Sequence, residues 1–173
     1  MSKDNINTGN PIVDRIGHFD FKGNLIPESW YHTITNEKGQ ADSIAILILA
    51  EIVYWYRPTQ ITNGNTISYQ KKFKDDDYLQ KSYEQLMAKL NITKTQARNH
   101  VIMLEELGVI ERVFKTIPTA CGPVPNCMYI KLNPDVLEKL TFPEDNSIPK
   151  NIGNSLYKKA DVSAKINTPV NKI

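Results

Sequence analysis

The sequence predicts a mostly α-helical fold with a small β component, of the α+β class. Two neighbouring segments in the middle of the chain carry helix-capping signals. An apolar segment before them suits one buried helix, and two segments of alternating apolar and polar residues after them suit a pair of strands. With 173 residues, of which 40% are hydrophobic, the chain is long enough to bury a core within one domain.

Composition divides the chain into three regions. Residues 1–11 are polar and rich in Asn, and residues 144–173 are rich in Asn, Ser, Lys and Pro, so we expect a disordered N-terminus and a disordered basic tail around a folded domain at 12–143. No apolar leader segment stands at the start, and the most hydrophobic run, 44–53, is shorter than the roughly 20 residues that span a bilayer. We therefore expect a cytoplasmic protein with no membrane partner.

The first part of the domain is predicted to contain a hairpin and a short helix. Apolar residues flank Lys22-Gly23-Asn24, and a Gly-Asn step in such a setting is typical of a β-hairpin. Pro27 can open a short helix that contains Trp30. Both would be extra N-terminal elements beside the helices that follow.

The apolar segment predicts the central helix of the domain. Asp42 or Ser43 can cap this helix. It should end at about Tyr56, because Pro58 pushes the residue before it out of the helical region. Its residues are apolar on almost every face, which indicates burial on all sides.

A hairpin insertion is predicted after the central helix. Residues 59–70 are strand-like and centre on Asn63-Gly64-Asn65, which is a turn signal. A charge block follows, which we interpret as a solvated loop, with phosphate contact or cation binding as the alternatives. Its members are Lys71, Lys72, Lys74, Asp75, Asp76 and Asp77.

The middle of the chain predicts two helices joined by a tight turn. Ser82 and Gln85 fit a capping box, in which the two side chains satisfy amides at the start of the helix. Thr93 and Gln96 repeat the same device further on. Asn91 stands where the first helix needs a left-handed residue to end. Two short helices with such a turn between them form a helix-turn-helix unit.

The second helix is predicted from Lys94 to about Leu107, with Gly108 as its C-terminal glycine, so that the unit occupies residues 82–108. One face of this helix is apolar and should pack against the first helix. The other face presents long or hydrogen-bonding side chains near the helix N-terminus, namely Lys94, Thr95, Arg98, Asn99 and Ile102.

A strand–loop–strand unit, the wing, is predicted at residues 109–132. Residues 109–117 and 127–132 alternate apolar and polar residues, and the Pro- and Gly-containing segment 118–126 is interpreted as the loop between them. That loop contains no Lys or Arg, which argues against contact between its tip and an anionic partner. A last short helix should open at Asn133-Pro134 and end near residue 141.

The segment SYEQLMAKLNITKTQARNHVIMLEELGVIERV, which starts at Ser82, resembles the winged helix-turn-helix domains of bacterial regulators and of phage or plasmid replication proteins, including DnaD-type and replisome-organizer N-terminal domains. More widely, IPESWYHTIT, AILILAEIVYWYRPT and LQKSYEQL resemble a group of uncharacterised winged-helix proteins from phages and mobile elements of low-GC Gram-positive bacteria. The resemblance implies a winged helix with extra N-terminal elements and a hairpin insertion. It also implies a role in replication initiation or transcriptional regulation.

We therefore expect sequence-specific binding to double-stranded DNA. The N-terminal part of a recognition helix enters the major groove, where Arg can bind guanine and Asn can bind adenine through paired hydrogen bonds. The start of the first helix and the first wing strand are expected to meet the phosphate backbone. The predicted DNA-binding residues are Lys81, Ser82, Tyr83, Lys94, Thr95, Gln96, Arg98, Asn99, Ile102, Arg112 and Lys115.

Other interpretations stay open. A winged helix can act as a protein-interaction module, for example toward a helicase loader or a host factor, and the net charge of only +2 gives no whole-chain signature of nucleic-acid binding. Arg112 and Lys115 can equally face solvent, and the aromatic residues around Trp55 suit core packing better than base stacking. Replication or regulatory proteins are further partners to consider. A homodimer is compatible with the sequence, and the oligomeric state is open.

The sequence gives no sign of catalysis, so we expect a protein that is not an enzyme and that uses no cofactor. The three histidines are scattered, and no phosphate-binding loop is present. Cys121 and Cys127 have no His or Cys near them at zinc spacing, and we interpret both as reduced thiols.

Overall fold

The computed structural model describes residues 7–19, 22–75 and 77–144. It is a mixed α+β structure with 40% helix and 26% strand in small sheets, which confirms the predicted fold class at this coarse level. No helix in that part of the chain is long and apolar enough to cross a membrane. The elements in chain order are α1 Pro11–Gly17, α2 Trp30–Thr33, α3 Ser43–Tyr56, β1 Thr59–Asn63, β2 Thr66–Gln70, β3 Leu79–Gln80, α4 Tyr83–Leu90, α5 Lys94–Glu106, β4 Ile110–Thr119, β5 Gly122–Leu132 and α6 Pro134–Thr141.

The helix α3 is the central helix, as predicted. Asp42 caps it, since its side chain accepts a hydrogen bond from the Ala45 amide at 3.0 Å. The helix ends at Tyr56, before Pro58. Half of its side chains are buried, and one of them is the carboxylate of Glu51. A buried carboxylate needs bonding partners, and Asn24, Trp55 and Lys81 supply them.

Both predicted capping boxes are present. The Ser82 hydroxyl accepts from the Gln85 amide at 3.2 Å, and the Gln85 side chain accepts from the Ser82 amide at 2.9 Å. Thr93 and Gln96 do the same at the start of α5. Asn91 has a left-handed backbone, with φ at 53°, and ends α4. The tight turn that the sequence predicts therefore joins α4 to α5.

The main core lies where α3, α4, α5 and the sheet meet. Leu86 of α4, Val101 and Leu104 of α5, and Ile130 of β5 are fully buried. Burial of each such side chain stabilises the fold by roughly 1.5–3 kcal/mol. Because the inward face of α5 is fixed by this packing, its outward face is fixed as well.

A three-stranded antiparallel sheet follows α5, with the strand order β3-β5-β4. Leu79 of β3 pairs with Ile130, and Ile110 of β4 pairs with Leu132. Gly108 has φ at 82°, as expected for a C-terminal glycine, so the chain turns directly from α5 into the sheet.

The loop predicted at residues 118–126 is wrong in length. β4 and β5 stay paired out to Thr119 and Gly122, so only the Ala120-Cys121 turn connects them. Three prolines favoured a loop, because proline cannot donate to a strand ladder. Toward the tip, however, the two strands pair only with each other, and prolines are tolerated on such free edges.

The hairpin predicted at residues 59–70 is present. β1 and β2 form a separate antiparallel sheet in which Thr59 pairs with Gln70. Gly64 at the tip has φ at 59°, which a turn of this kind requires. Nearly all side chains of both strands are exposed, and none between residues 59 and 70 is charged.

The hairpin predicted around Gly23 is wrong. Residues 22–29 contain no strand. The Asn24 amide instead donates to Glu51 of α3 at 3.0 Å, a contact that sequence order does not reveal. The predicted short helix near Trp30 is present as α2, and the Trp30 side chain is buried.

The helix α1 is not among the predicted elements. Asn10 caps it and Pro11 is its first residue, which is the Asn-Pro signal that correctly predicts α6 at Asn133-Pro134. The disorder predicted for residues 1–11 is tested only from residue 7, and Pro11 already belongs to α1. Residues 1–6 and the predicted basic tail beyond Glu144 lie outside the described residues.

Candidate nucleic-acid interface

The outward face of α5 collects polar side chains at the N-terminal end of the helix. Ala97, Val101 and Leu104 are buried, so residues at the other helical positions point away from the core. The structure thereby brings five predicted site residues onto one stripe: Lys94, Thr95, Arg98 and Asn99, which are exposed, and Ile102, which is half-buried.

Three side chains of this stripe are free of internal partners. Thr95, Arg98 and Asn99 make no side-chain hydrogen bond or ion pair within the residues that the structure describes. A guanidinium carries five N–H donors, and an amide carries both donors and an acceptor. These groups can therefore bind a ligand without first breaking a bond inside the protein.

Lys94 has a partner, but a weakly held one. Its ammonium lies 2.7 Å from the Glu84 carboxylate of α4, and both side chains are largely exposed, at 65% and 62%. The hydrogen bond from Lys94 lowers the pKa of Glu84 below its usual range. An ion pair this exposed contributes little to stability, because water screens it. A phosphate can therefore replace Glu84 as the partner of Lys94.

Ser82, Tyr83 and Gln96 hold the two helices in place. The Ser82 hydroxyl and the Gln96 side-chain oxygen are the acceptors of the two capping boxes. The Tyr83 hydroxyl accepts a hydrogen bond from the Arg112 guanidinium at 2.9 Å. Ser82 precedes α4, Tyr83 begins it and Gln96 lies in α5. The polar atom of each residue already makes a hydrogen bond within the protein.

Arg112 is bound to Glu105 and is not free for phosphate. Its Nε donates to Glu105 Oε2 at 2.9 Å, and its backbone amide donates to the other oxygen at 2.9 Å. These hydrogen bonds lower the pKa of Glu105, and the same pairing raises the pKa of Arg112. The contact ties β4 to α5, and the Arg112 bond to Tyr83 extends it to α4. We therefore leave Arg112 out of the interface.

Lys81 is buried, which corrects the expectation that it reaches phosphate. Its ammonium lies 2.8 Å from Glu51, and the side chains are only 9% and 2% exposed. Glu51 also accepts from Asn24 at 3.0 Å and from the Trp55 indole at 2.9 Å. Burial alone would raise the pKa of Glu51, but these hydrogen bonds outweigh it and lower that pKa. Lys81 is the counter-charge of a core carboxylate.

Lys115 is also engaged inside the protein. Its ammonium lies 3.1 Å from Asp75 and sits over the rings of Tyr78 and Tyr129, at 4.7 and 4.5 Å from their centroids. Hydrogen bonding from Lys115 lowers the pKa of Asp75. Its charge is thus neutralised beside the sheet, and we leave Lys115 out of the interface.

The carboxylate partners are the functional information that the sequence did not supply. Lys81 and Glu51 are 30 positions apart, and Lys115 and Asp75 are 40 positions apart. No helical or strand period connects residues at such distances, so only the folded chain brings them together. The sequence identifies the basic residues but does not show which carboxylates neutralise them.

Metal-binding groups do not add a second candidate site. Among the described residues, no cluster of His, Cys, Asp and Glu could hold a metal ion. Cys121 at the hairpin tip is an exposed thiol, and Cys127 is half-buried; neither is in a disulfide.

No protein-family model, curated protein or solved structure matches this chain. The candidate interface rests on the geometry of α5. Among the predicted site residues, those without an internal partner in the described chain lie on α5, whereas the predicted cations of β4 and the residue after β3 are paired with carboxylates.

Proposed function

We propose that residues 82–132 form a winged helix-turn-helix and that the protein binds double-stranded DNA in a sequence-specific manner through α5. The order of elements supports the fold: α4 and α5 are joined by a tight turn, the β4–β5 hairpin follows at once, and β3 completes the sheet. In such a fold the second helix enters the major groove with its N-terminal residues foremost.

The observation that carries the proposal is the unpaired state of Arg98 and Asn99 on the outward stripe of α5. Arg is suited to paired hydrogen bonds with guanine, and Asn to paired hydrogen bonds with adenine. Both residues lie in the first half of the helix, beside Thr95, and none of the three has an internal partner among the described residues. Lys94 adds a charge for the phosphate backbone.

The β4–β5 hairpin should contribute little to DNA affinity. Its tip is uncharged, and the cations at its base, Arg112 and Lys115, are bound to Glu105 and Asp75. We therefore place most of the binding energy on α5. The biological setting that we propose is replication initiation or transcriptional regulation in a phage or mobile element, inside the bacterial cytoplasm, and it rests on the sequence resemblance alone.

Duplex binding at two salt concentrations tests the proposal. The wild-type protein is mixed with random-sequence duplexes, and the duplexes that it binds are selected and used for the affinity measurement. The protein should bind them far more tightly at about 50 mM than at about 200 mM salt, because bound phosphates release counterions. The double variant Lys94→Ala with Arg98→Ala should lose most of this binding. Arg57→Ala with Lys139→Ala is the matched control, since it removes the same charge from exposed positions on other elements.

Two outcomes would overturn the proposal. One is a wild-type protein that shows no salt-sensitive binding to any duplex. The other is an α5 double variant that binds as tightly as the matched control. Circular dichroism of each variant confirms that it is folded before binding is compared.

A second candidate function is protein interaction, which the exposed apolar side chains of the β4–β5 hairpin favour. Phe114 and Val124 are 51% and 46% exposed and line a cleft of about 430 Å³ beside the start of α4. Apolar side chains of this size on a hairpin suit a protein contact better than a phosphate contact. Phe114→Ser should then abolish binding to a purified helicase loader in titration calorimetry and leave duplex binding unchanged; a loader that binds neither form excludes this candidate for that partner.

A further inference from the structure

A second cleft lies on the molecule, and no residue of α5 lines it. It has a volume of about 520 Å³ and is lined by the end of α3, residues 72–75 and 78, β3 with the residue after it, the start of α4 and one residue of β5. That volume is within the usual range of small-molecule sites. The function proposed for α5 makes no use of this cleft.

Aromatic rings form much of the wall of this cleft. They belong to Trp55, Phe73, Tyr78 and Tyr129. The Trp55 indole is held by its bond to Glu51, and Phe73 packs against Tyr56 with 4.8 Å between the ring centroids. These two rings are therefore held before any ligand arrives, which lowers the entropy cost of stacking against them.

The charge balance of the cleft is positive among the described residues. Lys81 and Asp75, which line it, are neutralised by Glu51 and Lys115. Two further lysines line it as well, and neither has a carboxylate partner within the described chain. They are Lys72, whose ammonium bonds the Tyr54 carbonyl at 2.8 Å, and Lys74, which is exposed.

A fixed amide completes the wall. Gln85 lines the cleft, and its side-chain oxygen is held by the Ser82 amide in the capping box. The other end of that amide carries two N–H donors, which are thereby directed by a bond that the fold already makes. Side-chain amides of this kind can bond to the edge of a nucleobase.

We propose that this cleft binds a nucleotide, with the base stacked against the aromatic wall and the phosphate bound by Lys72 and Lys74. Stacking is sequence-tolerant because every base has a flat π-face. An acidic peptide would bond only to the lysines, whereas a nucleotide can bond to the lysines through its phosphate and also stack its base against the rings. The nucleotide can be a free mononucleotide or an unpaired nucleotide of a single strand, and the site is independent of duplex binding by α5.

Tryptophan fluorescence gives a direct test. The chain has two tryptophans, and Trp30 is only 1% exposed and does not line the cleft, so Trp55 is the reporter. The wild-type protein is titrated with AMP in one arm and with a ten-residue oligothymidylate in the other, and calorimetry repeats both arms. Quenching by AMP identifies a mononucleotide site; quenching by the oligonucleotide alone identifies a single-strand site.

Variants separate this site from the interface on α5. Lys72→Gln with Lys74→Gln should weaken binding about tenfold or more, since it removes charge-assisted bonds to phosphate. Trp55→Phe should lose the fluorescence signal and bind more weakly by calorimetry, because a smaller ring replaces the indole and the bond to Glu51 is lost. Lys94→Ala with Arg98→Ala should bind the nucleotide as the wild type does, which keeps failure of this proposal distinct from failure of duplex binding.

Three results would overturn the proposal. The first is the absence of binding by either ligand at millimolar concentration. The second is wild-type affinity in the variant that lacks Lys72 and Lys74. The third is a polyglutamate peptide that binds as tightly as the nucleotides and competes with them, because the cleft would then recognise charge alone.

Discussion

The outward stripe of α5 and the β3–β5–β4 sheet both carry basic residues, but they differ in how those residues are bonded. Arg98 on α5 is exposed and has no partner in the described chain, whereas Arg112 on β4 is bound by Glu105 and Tyr83. Lys81, just after β3, is the buried counter-charge of Glu51. Similar cations therefore stabilise the sheet and its contacts in one region and offer ligand groups in the other.

The difference shows what decides the role of a cation in a protein of nearly balanced charge. A lysine or arginine is available for phosphate where it has no carboxylate partner, as in Arg98, or where its ion pair is largely exposed and easily exchanged, as in Lys94 with Glu84. A buried pair, as in Lys81 with Glu51, holds its cation inside the fold. Substitutions on the two sides should therefore act on different quantities, folding stability for the sheet and ligand affinity for α5.

Lys81→Met should have the largest effect, since it leaves Glu51 buried without its counter-charge. We expect the free energy of unfolding, measured by urea titration, to fall by about 3–5 kcal/mol. Duplex affinity of the folded protein should not change. Adding Glu51→Gln should recover part of the lost stability. A Lys81→Met protein that is fully stable but binds duplex weakly would show that Lys81 contributes to DNA binding and not to folding stability.

Arg112→Ala should destabilise the protein by about 2 kcal/mol, the scale of hydrogen bonds to charged groups. The variant loses the contacts with Glu105 and Tyr83 that connect β4 to both helices. Arg57→Ala, at an exposed position after α3, is the control and should change stability by less than about 0.5 kcal/mol. Reduced duplex affinity at unchanged stability would contradict the structural role of Arg112.

Lowering the pH should remove part of the stabilisation that the Arg112–Glu105 pair gives to the fold. Hydrogen bonding from Arg112 holds the pKa of Glu105 below the usual glutamate value of 4.5. The stabilisation is therefore fully present above that value and is lost as pH falls through the lower pKa of the folded state. We expect the stability difference between wild type and Arg112→Ala to be constant from pH 7 to 5 and to narrow below pH 4.5. A difference that widens in acid would contradict the pairing.

Arg98→Lys tests base recognition by α5 without removing a positive charge. Lysine cannot make the paired hydrogen bonds of a guanidinium, so discrimination between duplex sequences should fall by about 1 kcal/mol at one position of the selected site. The salt dependence of binding and the free energy of unfolding should stay as in the wild type. Unchanged sequence preference would show that Arg98 contacts only the backbone.

Glu84→Gln should have the smallest effect, and it should be a gain. It removes a negative charge from the edge of the interface and frees Lys94, so duplex affinity should rise about twofold. Glu138→Gln, which removes the same charge from an exposed position on α6, is the matched control and should leave affinity unchanged. A loss of affinity in Glu84→Gln would indicate that the Glu84 pair orders Lys94 for binding.

The elements that the sequence predicts well are those set by local signals. Caps at Asp42, Ser82 and Thr93, and the left-handed Asn91 and Gly108, act within one helical turn and are all present. Local signals also mislead where a distant partner competes. The Gly-Asn step at Gly23 is not followed by a strand, and Asn24 instead bonds to Glu51 across the fold.

The candidate site is predictable in part for the same reason. The outward stripe of α5 follows from helical periodicity, and residues 94–99 lie where the sequence places them. Lys81, Arg112 and Lys115 differ, because long-range pairing with carboxylates determines their availability. The cleft beside Trp55 also escapes prediction, since its walls come from five separate stretches of chain.

The uncharged β1–β2 hairpin has a practical consequence. Its strands pair with each other alone, nearly all their side chains are exposed, and the tip is formed by Gly64 and neighbouring asparagines. Exposed tips of small, polar residues tolerate inserted sequence well. An epitope or a fluorescent label placed at Gly64 would therefore follow the protein in the duplex-binding assay, while leaving α5 chemically unmodified.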